Sequence, residues 1–173
     1  MARVTTCGTL GYSDYPLEVA LRQIAARGIE QVEIASLNSY CIHYDLGTTR
    51  PADILKLLAS YGLRAVSMNY SVGKKGTDRE SREFYVTRPE DARGYADQVR
   101  QLIDESVELG LKILLVPIGM RLAGAARVAA AKIYARILSE LAEYAHQRGL
   151  MLSTELPNLY TLAYDLETTT EFF

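Results

Sequence analysis

The chain has no tryptophan, two histidines, two cysteines and five prolines in its 173 residues. Cys7 and Cys41 form no CxxC pair, which argues against a disulfide framework and against a zinc knuckle. With only His43 and His146, these residues do not supply a histidine-rich metal cluster. The net charge is −2 and no basic stripe runs through the chain, so nucleic acid is not an expected partner. No apolar run approaches the roughly 20 residues of a membrane helix, so no membrane partner is expected. The opening "MARVTTCGTL" lacks the apolar stretch of a signal peptide, which makes the cytoplasm the expected compartment. A Walker lysine motif is missing. So is the dinucleotide fingerprint GxGxxG: "CGTLGYSD" has Gly8 and Gly11 but no third glycine at the required offset.

What is present is a repeat. The stretches "ARGIEQVEIA", "SYGLRAVSMN", "ELGLKILLVP" and "QRGLMLSTEL" each place a glycine before Ile or Leu and then a strand-like run. The glycines are Gly28, Gly62, Gly110 and Gly149. A segment of helical period precedes each one. Glycine accepts the left-handed turn that closes a helix, and the chain then drops into a sheet. The helix starts are also legible. Pro16, Pro51 and Pro89 each open a periodic segment, as proline does in a first helical turn. In "PLEVALRQIAAR", Leu17, Ala20, Leu21 and Ile24 share a face. In "ARVAAAKIYARILSELAEYAHQR", the inward set is expected to be Val128, Ile133, Ile137, Leu138 and Leu141.

With an initial strand in "RVTTCGTL", the order is five successive strand–helix units. Such alternation predicts an α/β fold with a parallel sheet and helices outside it. The loops after the strands (8–15, 36–50, 70–88 and 118–126) are long and polar, whereas the connections after helices are little more than a glycine. That asymmetry suits a (β/α)8 TIM barrel, where loops after strands build the site. A full barrel takes about 250 residues. The chain is therefore read as one domain, 1–173, holding the N-terminal five βα units of a barrel, with a C-terminal truncation expected. Its last apolar strand, "GLMLSTELPN", ends on a carboxylate, Glu155, which is costly to bury unless paired or metal-bound.

Three stretches carry a resemblance: "GIEQVEIA" with the following "HYDLG", "GLRAVSMN", and "MLSTELPNLYTLAYDLETTTEFF". Together they resemble the sugar phosphate isomerase/epimerase family with the xylose-isomerase-like barrel, over essentially the whole chain. The resemblance implies a divalent-metal-dependent isomerase or epimerase of a sugar, sugar phosphate or polyol, working through an enediolate-type proton transfer. It implies Mn2+ as the first choice of metal, with Mg2+, Co2+ or Zn2+ as substitutes. It implies Glu155 as first metal ligand and catalytic acid, with the other ligands on strands six to eight. Epimerases of the family carry a second acid six residues later, where this chain has Thr161.

Beside that implication, each candidate has its own reading. His43, in the loop after the second strand, is a candidate proton carrier or hydroxyl contact, or else an ordinary solvated histidine. Glu33, expected late on the second strand with Gln31 and Ala35 on its face, is a candidate substrate contact or a rim carboxylate. Asn69 at the end of the third strand, Asn158 beyond Pro157, and Tyr12 in the first loop are further substrate-binding candidates. Lys74, Lys75 and Arg121 read first as solvated loop residues, and His146 as a helix-end cation. The expected partner is a small sugar or polyol, and a homo-oligomer is allowed. Two rival functions stand. One is a non-catalytic or assembly-dependent partial barrel that binds a small polar ligand. The other is an abasic-site endonuclease of the same superfamily, disfavoured by the two histidines and the charge.

Overall fold

The computed structural model describes residues 5–37, 41–73, 84–116 and 124–154. The elements are β1 (Thr6–Gly8), a 3-10 turn (Thr9–Tyr12), α1 (Leu17–Ala25), β2 (Gln31–Leu37), β3 (Cys41–Ile42), α2 (Pro51–Ser60), β4 (Arg64–Tyr70), α3 (Pro89–Glu108), β5 (Ile113–Leu115), α4 (Gly124–His146) and β6 (Met151–Ser153). Five strands are parallel and stand in chain order, β1-β2-β4-β5-β6. The sixth, β3, pairs antiparallel with the end of β2 inside what was expected to be a plain loop.

The repeated glycines do what the sequence asked of them. Gly28, Gly62, Gly110 and Gly149 all have φ between 66° and 73°. At the last three, the leucine after the glycine donates its N–H to a carbonyl five residues back: Leu63 to Leu58, Leu111 to Ser106 and Leu150 to Ala145, each at 3.0 Å. This bond satisfies a carbonyl that the helix end would leave orphaned. The same leucines are buried, so one Gly-Leu pair both ends the helix and anchors the next strand.

Helices pack on one face of the sheet. Val32, Ile34, Met68 and Leu114 from the strands meet Leu21, Ile24, Leu58, Val99, Leu102 and Ile103 from α1, α2 and α3 in one buried cluster. Each such side chain contributes about 1.5–3 kcal/mol through burial. On α4 the buried set is Ala130, Ala131, Tyr134, Ile137, Leu141 and Ala145, whereas Val128 is exposed. The expected inward position of Val128 is thus corrected. From Ala130 through Tyr134, Ile137 and Leu141 to Ala145 the stripe runs at steps of four, three, four and four, and Val128 falls off it. Phe84, Tyr95 and Tyr134 stack edge-to-face, with centroids 6.2 Å and 5.2 Å apart, and tie α3 to α4.

Candidate functional site

Strand register sorts the other face of the sheet into rows. Gly8, Glu33, Ser67, Ile113 and Met151 are paired neighbours and form one row. Ala35, Asn69, Leu115 and Ser153 form the next row, toward the C-terminal strand ends. The rows are about 6.6 Å apart along the strands. Their β1, β2 and β4 side is polar and their β5 and β6 side is largely apolar.

Glu33 is the third residue of β2, nearer the strand start than the sequence suggested. Its Oε2 accepts the Ser67 hydroxyl at 2.9 Å. The ladder between β2 and β4 slips one residue here: Val32 pairs with Ala65, and Glu33 with Ser67 rather than Val66. Bulges of this kind re-aim side chains. Asn69, half-buried near the end of β4, has no hydrogen-bond partner for its amide among the described residues. Tyr12, on the 3-10 turn after β1, is half-buried and packs against the core cluster.

His43 is buried rather than solvated. Its Nε2 lies 2.9 Å from the Tyr15 carbonyl and its Nδ1 lies 2.9 Å from Thr9 Oγ1. A carbonyl only accepts, so Nε2 carries the proton. In the neutral ring Nδ1 then accepts from the Thr9 hydroxyl, while Thr9 Oγ1 accepts the Ala35 N–H at 2.9 Å. Both ring nitrogens are thereby committed. The imidazole braces the turn after β1 against the loop after β2. Cys41 lies beside it, its thiol 3.5 Å from the Ala35 carbonyl and pushed up by burial.

The rest of "HYDLG" serves the same loop. Tyr44 is buried and donates to the Glu105 carboxylate on α3, and burial together with that carboxylate pushes its phenol well above the usual range. The Asp45 carbonyl accepts the N–H groups of Thr48 and Thr49, at 3.0 Å and 2.7 Å. Gly47 turns with φ 74°. The structure brings Glu33 and Asn69 onto one face and ties His43 behind it, with no hydrogen bond joining His43 to Glu33. Glu155, Asn158 and Thr161 lie outside the described residues, as do Lys74, Lys75 and Arg121. His146 ends α4 and is exposed. Sequence reasoning missed Thr9 and Ser67. Ser67 had a signal, since it alternates with Asn69 at the period of a strand face.

Among the described residues, no three His, Cys, Asp or Glu side chains gather as a metal site. No helix among them is long and apolar enough to cross a membrane. A cleft of about 320 Å³, lined by Val116, Leu138, Ala142, Leu152 and Thr154 among others, opens on the helix side at α4. It is apolar and carries no charged side chain.

Parallel strands in chain order exclude the reversed order of a doubly wound sheet, and define a protein of the (β/α) barrel class. The chain belongs to the xylose isomerase-like TIM barrel family, whose model matches residues 21–173. Among solved structures, a D-tagatose 3-epimerase-like protein matches 98% of this chain and 60% of its own, with 16% identity and a TM-score of 0.71. D-allulose 3-epimerase from Methylomonas sp. in complex with D-allulose matches 99% of this chain and 60% of its own, with 19% identity and a TM-score of 0.68. The IOLI protein with a bound zinc atom matches 98% of this chain and 58% of its own, with 12% identity and a TM-score of 0.70. The chain thus spans about 60% of the length of these structures. At such identities the likeness establishes the fold. No curated protein sequence matches the chain.

Proposed function

We propose that this chain supplies the first five βα units of a divalent-metal-dependent isomerase or epimerase acting on a sugar, sugar phosphate or polyol. The observation that carries the reading is the polar stripe of Glu33, Ser67 and Asn69 on the sheet face turned away from the helices. Barrel enzymes use that interior and its C-terminal rim. The relatives point the same way: one holds D-allulose and another a zinc atom.

Within this reading Asn69 bonds a substrate hydroxyl and Glu33 accepts another. Tyr12 walls the first loop, and Asn158 is a further hydroxyl contact. Glu155 is the first metal ligand and the acid–base group of the enediolate-type transfer. The described residues do not by themselves fit a metal centre. The metal assignment therefore rests on Glu155 and on ligands the resemblance places on later strands. The geometry favours His43 as the brace that holds the rim, not as proton carrier. Both histidines being so disposed, the endonuclease reading gains no support.

The test is twofold. Calorimetric titration of the full-length protein, with the later strands present, with Mn2+ should show binding that Glu155→Gln weakens by at least tenfold. The Mn2+-loaded protein should epimerise D-allulose or D-tagatose. Equal affinity in the variant removes Glu155 as ligand, and inertness toward both sugars removes a ketohexose 3-epimerase activity.

A further inference from the structure

We propose that Ser67 is a positioning residue for Glu33, and that Gly8 keeps the second oxygen of that carboxylate open to accept one substrate hydroxyl. The inference deepens the function proposed above and rests on it.

Three independent features converge on Glu33. The first is the slip between β2 and β4, which sets Ser67 opposite Glu33 where an even ladder would set Val66. Ser67 is buried, and its hydroxyl has this one partner, Oε2 at 2.9 Å. The second is Oε1, which has no hydrogen-bond partner among the described residues, although Glu33 is half-buried. Oε1 is not fully buried, so water or a ligand can reach it.

The third feature is Gly8 beside it. Its φ of −78° and ψ of 137° are extended values that any residue adopts. A Cβ built there meets Glu33 Oε1 as its nearest neighbour, at 3.7 Å, an ordinary contact. Neither backbone nor packing therefore requires glycine. What its missing side chain leaves is the space over Oε1. An ionised carboxylate oxygen only accepts, so it takes a hydroxyl and repels a phosphate. Asn69 stands one row higher, about 6.6 Å along the strands. That spacing lets a chain of five or six carbons lie along the barrel axis with one hydroxyl on Glu33 and another on Asn69.

The experiment compares Gly8→Ala, Gly8→Val, Ser67→Ala and Ser67→Thr with wild type, in the full-length protein loaded with Mn2+, using D-allulose as probe. Thermal melts come first: Gly8→Ala should melt no lower than wild type. In steady-state kinetics Ser67→Ala should raise KM about three- to tenfold with kcat within about twofold, and Ser67→Thr should restore it. Gly8→Ala should raise KM and Gly8→Val should raise it further. Wild-type KM in both Ser67→Ala and Gly8→Ala overturns the inference and leaves the function standing, as does a fall in kcat with KM unchanged. A wild-type full-length protein inert toward D-allulose and D-tagatose overturns the ketohexose-epimerase reading and this inference with it.

Discussion

Replacing His43 separates a brace from a proton carrier. The side chain is 5% exposed and makes two hydrogen bonds of 2.9 Å, to the Tyr15 carbonyl and the Thr9 hydroxyl. Truncation to alanine removes both, worth about 0.5–1.5 kcal/mol each. It also leaves the hydroxyl proton of Thr9, a fully buried residue, without its acceptor, and leaves a void where the ring was. The sum for His43→Ala is about 2–4 kcal/mol. At about 2–4 °C per kcal/mol for a chain of this size, the melting temperature should fall by roughly 5–15 °C. His43→Gln keeps a donor for Tyr15 and should cost less. Urea melts of the three proteins measure the first quantity, and D-allulose turnover well below the melts measures the second. A brace predicts kcat within about threefold in His43→Gln, whereas a general acid–base group contributes about 10²–10⁴-fold. A cost under about 0.5 kcal/mol for His43→Ala rules out the brace. So does a His43→Gln variant that keeps full stability but loses turnover a hundredfold or more.

Gly110→Ala forces an L-residue into φ 71° and should cost about 1–2 kcal/mol in urea melts, in contrast to Gly8→Ala at φ −78°. Equal costs at the two positions would contradict the assignment of the helix-ending turns. Alkaline pH should also destabilise the fold. Burial raises the phenols of Tyr44, Tyr70 and Tyr95 above their ordinary 10.0. They stay protonated in the folded chain while the unfolded chain releases their protons, so their contribution is complete below about pH 10 and is lost as pH rises beyond it. Urea midpoints from pH 8 to 11, read beside phenolate absorbance, should fall together with the onset of tyrosine ionisation. A flat midpoint across that range would refute it.

The fold was legible because its signals are local. Gly28, Gly62, Gly110 and Gly149 each end a helix through their own backbone, and Pro51 and Pro89 open helices by their own ring geometry. Where a signal depended on the neighbour, the reading slipped. Val128 carries the right chemistry for the core, but the stripe set by Ala130, Tyr134 and Ile137 turns it outward. The short β3 was invisible because two residues hold no period, and only pairing with Ser36 and Leu37 makes them a strand. His43 was read from its exposed-loop context, yet three groups far along the chain or across the loop surround it: Thr9, Tyr15 and Cys41.

By itself, then, the sequence determined the order of strands and helices, the hand-over from each helix to the next strand, and the α/β barrel class. Those features follow from residue chemistry over a few positions. Tertiary structure alone decided that Glu33 meets Ser67 instead of Val66, that Gly8 leaves a carboxylate oxygen uncovered, and that His43 spends both nitrogens on holding loops together. Each of these depends on register between segments distant in the chain, and a one-residue slip in register turns a side chain to the opposite face.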